Sequence, residues 1–325
     1  MKKSCIYPFF AVLLTLFWGC RSDYQNESGM IWNTMYNVTY DGPVTLRDSL
    51  LPQFNRVAAS VSAFDSTSLV SRINRNETAR TDSVFRHVYR MSQLVNKRSG
   101  GAFDPTVSPL VTAWGFGKGH KATADTARID ELMKYVGIGK TRLNGDLLLK
   151  NDPRLEFNFS AIAKGYGCDA VGEMFLRNGV ESFLIEIGGE ILAHGLSPRG
   201  GMWRVSVDAP IRSEGIVHQS QCVLEIGDEG VATSGNYRNF HEKKGQVYGH
   251  TINPVTGRPV QTDVLSATVI APTAMEADAY ATAAMAVGSE RARQMAQKYG
   301  LAMMLIMPGN KVWMSPGFKK YVVEN

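Results

Sequence analysis

Cysteine is scarce in this 325-residue chain: four copies, too few and too scattered for a disulfide framework. Beyond residue 20 only Cys168 and Cys222 remain, and no Cys/His pairs stand at zinc-site spacing. An excess of one charge is lacking too. The 35 Lys and Arg face 30 Asp and Glu, a formal balance of +5, with no basic stripe and no acidic tail. Nucleic acid is therefore not an expected partner. After residue 20 no apolar run approaches the ~20 residues that span a bilayer. Low-complexity stretches and repeats at solenoid periods are missing as well. Glycine is plentiful, at 31 residues, which points to many tight turns and close backbone approaches.

The strongest regional signal is N-terminal. Lys2 and Lys3 precede an apolar run over 6–18 that ends in Gly19-Cys20. A short cationic head with an apolar stretch of this length reads as a secretory signal, and a small residue before cysteine reads as a lipobox. The expected organisation is a signal peptide over 1–20 with Cys20 lipidated, a polar tether over 21–29, and one domain over 30–325. A plain signal peptide or an uncleaved anchor is the alternative.

Val84, Val88, Met91 and Val95 recur at helical spacing and predict a helix over 83–98, stopped by Gly100-Gly101. Further helices are expected over 46–60, 129–136 and 289–299. Another, capped by Ser160 and closed by Gly179, is expected over 160–178. Thr273 and Glu276 have the T-x-x-E spacing of a capping box ahead of an Ala-rich helix ending near residue 287. Strands are expected over 31–40, 146–150, 154–159, 182–187, 190–194, 203–207, 221–226, 264–271, 301–307 and 311–314. Without strict βαβ alternation the class is α+β, mixed sheets packed with helices.

Three short motifs fail on spacing. Gly137-Ile138-Gly139-Lys140-Thr141 ends like a phosphate loop, but Lys134 stands where its first glycine belongs. Gly115-Phe116-Gly117 lacks the third glycine of a dinucleotide fingerprint. Ser234 and His250 have no nucleophile elbow around either.

Eight segments carry information through their order. The first three are Asn33-Thr34-Met35; Ser62-Ala63-Phe64-Asp65 with Ser71-Arg72-Ile73-Asn74; and Gly100-Gly101-Ala102-Phe103-Asp104-Pro105-Thr106-Val107, running on to Trp114-Gly115-Phe116-Gly117. Next come Phe159-Ser160-Ala161-Ile162-Ala163-Lys164-Gly165-Tyr166 and Glu186-Ile187-Gly188-Gly189-Glu190. The series closes with Ala232-Thr233-Ser234-Gly235-Asn236-Tyr237-Arg238, then His250-Thr251-Ile252-Asn253-Pro254-Val255-Thr256-Gly257-Arg258-Pro259, then Ala271-Pro272-Thr273-Ala274-Met275-Glu276-Ala277-Asp278-Ala279. In this order, over roughly residues 30–310, they resemble the ApbE-type FAD:protein FMN transferases.

The resemblance implies an ApbE-like fold, FAD as substrate and Mg²⁺ as the bound ion. A threonine hydroxyl of an acceptor electron-transfer protein attacks the phosphorus on the FMN side, and AMP leaves. It also implies a periplasm-facing lipoprotein, with the membrane as a partner through the lipid anchor. Residue by residue, it assigns Asp278, Thr282 and the backbone carbonyls of Ala161 and Ala281 to the metal. Met35, Ala102, Phe103, Asp104, Asn158, Lys164 and Thr251 are assigned to FAD. His250 is the candidate base, because a group titrating near neutral pH suits removal of the threonine proton.

These residue types suit the task. Phosphoryl-type transfer needs positioning and charge stabilisation more than covalent help. Asp278 and Thr282, four apart on the expected helix, share a side, and oxygen donors suit Mg²⁺. A helix opening at Ser160 would offer free N–H groups to a diphosphate, with Lys164 adding positive charge. Asn158 stands where many relatives have Asp, so it supplies hydrogen bonds without charge. Asn253 likewise replaces an Asp and serves as a turn residue. Glu186 to Glu190 are expected to shape a sheet edge and turn. Two rivals share the same site: a Mg²⁺-dependent FAD pyrophosphatase with water as acceptor, and a non-catalytic FAD-binding lipoprotein.

Overall fold

The computed structural model describes residues 24–115, 125–210, 220–235, 240–243, 246–249, 252–260 and 262–323. The chain opens with β1 (Tyr24–Ile31) and β2 (Thr34–Asp41), then α1 (Arg47–Val61), α2 (Leu69–Asn74), α3 (Ser83–Arg98), α4 (Ser108–Ala113) and α5 (Thr126–Met133). A small hairpin, β3 (Thr141–Asn144) and β4 (Leu147–Lys150), leads to α6 (Ala163–Arg177). Next come β5 (Phe183–Ile187), β6 (Glu190–His194), β7 (Trp203–Asp208), β8 (Ser220–Ile226) and β9 (Gly230–Gly235). Four short strands follow: β10 (Phe240–Lys243), β11 (Gln246–Gly249), β12 (Ile252–Asn253) and β13 (Arg258–Pro259). The chain ends with β14 (Ser266–Ala271), α7 (Ala274–Val287), α8 (Ser289–Tyr299), β15 (Ala302–Met307), β16 (Lys311–Met314) and α9 (Pro316–Lys319).

Eight strands form one sheet in the order β1-β2-β5-β6-β9-β14-β15-β16, each antiparallel to its neighbours. This sheet with its covering helices is an α+β fold. Alternate residues of the central strands feed two cores, as the two-residue strand period requires. Ala232, Val269 and Met303 join the core under α3, α6 and α7, whereas their neighbours Val231, Ile270 and Met304 join Trp203, Leu224 and Phe318 beneath the β7–β8 hairpin and α9. Covered on both faces, β14 is buried along its whole length.

α7 is the central helix of the inner layer: eleven of its fourteen residues are buried. A helix apolar on all sides belongs in a core, and alanine keeps it slim enough to lie against β9, β14 and α6 together. The approach to α6 is closest at Gly165, where a Cβ would sit 2.3 Å from the Ala274 carbonyl oxygen.

Several sequence expectations shift. The strand expected over 31–40 is the second arm of a hairpin whose first arm, β1, takes up most of the segment expected as a tether. Tyr24 pairs with Asp41 and Ile31 with Thr34 around a turn in which Trp32 and Asn33 take φ of 51° and 61°. A left-handed Trp is costly; the Trp32 ring is held edge-on to Phe54 at 5.9 Å and lies over Gly167. No strand forms over 154–159, because the Asn74 side chain replaces a strand partner, accepting from Phe157 N–H at 2.8 Å and donating to its carbonyl at 2.9 Å. Asp125 caps α5 three residues earlier than expected. α6 begins at Ala163, not at Ser160, which sits exposed in the preceding turn. The short elements α2, α4, α9 and β9 had no periodicity long enough to announce them.

The α6–α7 contact leaves no room for a methyl group at 165. Gly165→Ala is expected to destabilise the protein by about 2 kcal/mol or more, since overpacking a tight core forces backbone shifts. A lower urea midpoint at unchanged slope checks this.

Candidate active site

Two helices start side by side, and each is braced by a carboxylate from the other. At the start of α7, Thr273 accepts from Glu276 N–H at 3.1 Å, and Asp169 of α6 accepts from Ala274 and Met275 N–H at 2.8 and 2.9 Å. One turn into α7, the buried Asp278 accepts from Gly165 N–H in the first turn of α6, at 3.2 Å. That is its one hydrogen bond among the described residues, so the carboxylate keeps acceptor capacity in hand. One turn further, the Thr282 hydroxyl lies 3.2 Å from the Ser234 hydroxyl of β9. Asp278 and Thr282 therefore do share a side of α7, and Ala281 between them is fully buried.

Lys164, beside Gly165, forms an ion pair with Glu190, the first residue of β6. Glu190 is buried, its side chain 5% exposed against 34% for Lys164. Gly188 and Gly189, at φ of 62° and 104°, make the tight turn that delivers it. Burial first, and then the charge of Asp278, push the Glu190 carboxyl up to about 8, with Lys164 opposing. Burial likewise raises Asp278 against the pull of Lys164 and Gly165 N–H. Burial disfavours the Lys164 ammonium, but the two carboxylates outweigh it and raise its pKa.

The remaining expected residues fall into three groups. Asn158 and the 102–106 loop meet, with Asn158 N–H donating to Pro105 carbonyl at 2.6 Å. Asn158 Oδ1 accepts from the backbone and hydroxyl of Ser160, at 2.9 and 2.6 Å, a turn that needs an acceptor and no charge. Ala102 and Phe103 are buried, and the Asp104 carboxylate is committed inside the chain. It accepts from Thr106 N–H and hydroxyl, Ile138 N–H and Asn96, at 2.6 to 3.1 Å. In this structure Asp104 holds the loop's shape. Met35 is half exposed, and its carbonyl accepts from Gly188 N–H at 2.9 Å, which places it at the sheet end that carries Glu190. Ala161 is half buried in the turn before α6, where the N-cap residue Ile162 makes no side-chain cap bond and Asp278 takes the first-turn N–H of Gly165. Cys20, His250 and Thr251 lie outside the described residues.

Residues 32–305 match the sequence model of the ApbE family. The chain belongs to that family. It is 33% identical, over 95% of its length and 96% of the relative's, to the FAD:protein FMN transferase of Vibrio cholerae. The Escherichia coli K12 protein of the same description is 31% identical, over 86% of this chain and 82% of its own. Among solved structures, the flavin transferase ApbE from Vibrio cholerae superposes with a TM-score of 0.82 at 30% identity, covering 92% of this chain and 99% of that one. The apo flavinyl transferase ApbE of Pseudomonas stutzeri gives 0.83 at 29%, covering 93% and 98%.

For a member of the ApbE family the donor set is informative. Among the described residues no three His, Cys, Asp or Glu gather as a ready-made metal centre. The site offers instead the buried carboxylate of Asp278, the hydroxyls of Thr282 and Ser234, and the backbone oxygens of the turn at Ala161, while Glu190 is engaged by Lys164 and Asp169 by the α7 start. Hard oxygen donors of low total charge fit Mg²⁺, which keeps waters and shares its ligands with phosphates. Glu190, Asp169 and Ser234 are the site residues that sequence reasoning missed. An acid inside an otherwise buried stretch, as at Asp169 in the 165–172 run, was the available signal. Glu190 was hidden by reading its segment as turn chemistry.

The folded protein holds the Glu190 proton to higher pH than the unfolded chain, so between 4.5 and about 8 the native state binds more protons. This contribution to stability is present at acid pH and is lost as pH rises through that window. Asp169, pushed up to about 7 chiefly by burial, acts in the same direction. Metal-free protein is expected to lose stability across this range, and Glu190→Gln to flatten the slope, read from urea midpoints.

Proposed function

We propose that this chain is a Mg²⁺-dependent FAD:protein FMN transferase that places FMN on a threonine of an exported electron-transfer protein and releases AMP. Its relatives carry the transferase activity in their names, and family membership supports the same enzyme class here. The observation that carries the metal-dependent reading is Asp278: a buried carboxylate with a single hydrogen bond among the described residues, to the first turn of α6, and with Thr282 on the same side of α7.

Each part of the chain then has a task. Asp278, Thr282 and the carbonyls at Ala161 and Ala281 would hold the ion. When bound, Mg²⁺ supplies Lewis-acid polarisation of the diphosphate and neutralises the charge that develops on the leaving phosphate. Lys164, in the first turn of α6, adds a cation close by. The 102–104 loop, pinned by Asp104 and tied to Asn158, would take the adenine end, and Met35 and Thr251 the flavin. His250 would accept the threonine proton as the hydroxyl attacks. The segment after it is fixed by Asn253 Oδ1, which accepts from Val255 and Thr256 N–H at 2.8 and 3.3 Å. Trp114 Nε1 donates to Gly257 carbonyl at 2.8 Å, joining that segment to the loop after α4. Cys20 would carry the lipid that keeps the enzyme on the membrane, facing the periplasm.

The deciding experiment is mass spectrometry of a candidate acceptor after incubation with enzyme, FAD and Mg²⁺. A mass gain matching FMN on a threonine is expected, and Asp278→Ala should lower its rate at least about 100-fold. Release of FMN and AMP with no acceptor labelled would make water the acceptor and overturn the transferase reading. His250→Ala is expected to slow transfer by about 100-fold or more while FAD affinity stays within about twofold. Equal loss of both would give the histidine a structural task.

A further inference from the structure

The lipid anchor and the catalytic site belong to opposite ends of one strand. With Cys20 lipidated, residues 21–23 are all that separates the lipid from Tyr24, where β1 begins. The four residue steps from Cys20 to Tyr24 reach at most about 14 Å, so the start of β1 is held close to the bilayer surface. From there β1 runs to Ile31, roughly 23 Å at about 3.3 Å per residue. The hairpin turn after it lies at the catalytic end, where the Met35 carbonyl accepts from Gly188 N–H. α6 spans the same height: it starts beside Lys164 at the catalytic end and finishes at Arg177, about 20 Å along its axis.

Several connections are tied together at the Tyr24 end. Asp41, paired with Tyr24, donates its N–H to the Ser182 carbonyl at 2.8 Å. Leu196 N–H donates to the Ser182 hydroxyl at 3.1 Å, and the Tyr24 hydroxyl donates to the Leu196 carbonyl at 2.8 Å. Val180, just past α6, packs at Gly42, where a Cβ would fall 2.9 Å from it. The surface so assembled carries exposed apolar groups. Val44 after β2, Leu176 in the last turn of α6, and Leu196 and Met202 in the β6–β7 connection are each half exposed or more. Scattered apolar residues need no explanation, but these gather beside the point where the chain leaves for its anchor. Charges there are mixed, Arg177 and Arg199 against Asp41, Glu181 and Asp228, so apolar contact and not net charge would set an orientation. The outer border of β1 is more polar: Asn26 and Ser28 are exposed, and Glu27 pairs with Arg47.

We propose that the Tyr24 end of the sheet is a membrane-contacting surface, with Val44, Leu176, Leu196 and Met202 entering the lipid headgroup layer and the domain standing end-on on the bilayer. This rests on the reading of Cys20 as lipidated. The anchor supplies the affinity, and the four side chains supply the orientation, since each gains by leaving water. The catalytic end then faces away from the membrane, on the order of 20 Å above it. The acceptor is accordingly a protein whose threonine stands clear of the bilayer by that height, not one lying at the lipid surface.

The test uses the mature protein extracted from membranes and placed in vesicles of phosphatidylethanolamine and phosphatidylglycerol, with the Cys20→Ser protein in solution as reference. On the vesicles, amide hydrogen exchange is expected to slow at least about threefold over 42–46, 176–181 and 195–202 and to stay unchanged over 30–35 and 188–190. Leu196→Glu combined with Met202→Glu changes two exposed positions outside the core, and should remove this protection while the protein stays on the vesicles. Protection along 25–31 instead would lay the domain on its side, and protection nowhere would leave it without a fixed orientation. Either result overturns this inference and leaves the anchor and the transferase reading intact. A mature chain whose mass shows no lipid on Cys20 overturns the anchor reading, and this inference with it.

Discussion

The crossing of α6 and α7 is held by an exchange of carboxylates: Asp169 of α6 bonds the first N–H groups of α7, and Asp278 of α7 bonds an N–H in the first turn of α6. Each acid sits where the partner helix presents unpaired donors and the positive end of its dipole. Around this exchange the backbones approach as closely as Gly165 and Ala274 allow. The Ala-rich sequence of α7, the absence of a side chain at 165 and the buried acids are parts of one constraint. The two helix starts must lie at one end of the sheet, within reach of β6 and β9. Loosening the crossing would move Asp278, Lys164 and Thr282 apart together.

The two acids do not have equal standing in this exchange. Asp169 receives two short bonds from a helix start, one on each oxygen. Asp278 receives one longer bond among the described residues, on Oδ2, which leaves more of its acceptor capacity unused. Burial raises the pKa of both, but only Asp278 is left under-bonded for the charge it carries. A group in that state destabilises the empty protein and gains most when a cation arrives. The two acids differ in the count of donors, not in depth, since both are buried, and that difference is what supports the proposed metal-holding task of Asp278.

Sequence reasoning recovered the parts of the fold that have strong local signals. α3 and α8 were placed at their observed ends, because amphipathic spacing and flanking glycines mark them. Thr273 was read as the cap of α7 from its spacing to Glu276. The misses have a common cause in long-range substitution for local structure. Asn74 stands in for a strand at Phe157, Asp169 adds a cap to a helix that begins 105 residues later, and the first-turn N–H of α6 at Gly165 is taken by Asp278 of α7, not by a local side chain. The site shows the same division. That Asp278 and Thr282 share a side of α7 was legible from helical spacing. Glu190 was not, because its partner Lys164 lies 26 positions away on another element and nothing local distinguishes it from a turn residue.

Positioning extends outward from the helix crossing through backbone contacts. The Met35 carbonyl holds Gly188 N–H, so the first hairpin fixes the glycine turn that delivers Glu190. Trp32 then closes over Gly167 of α6, where a Cβ would fall 2.7 Å from its ring. The left-handed conformation of Trp32 and the missing side chain at 167 go together: the edge of the indole sits where a Cβ at 167 would be, and only glycine leaves it that room. The expected flavin contact at Met35 and the charged group at Lys164 are thus not independent features of the sheet end. They are carried by one hairpin and one helix that are locked together at Trp32, and a change in either would be felt at both.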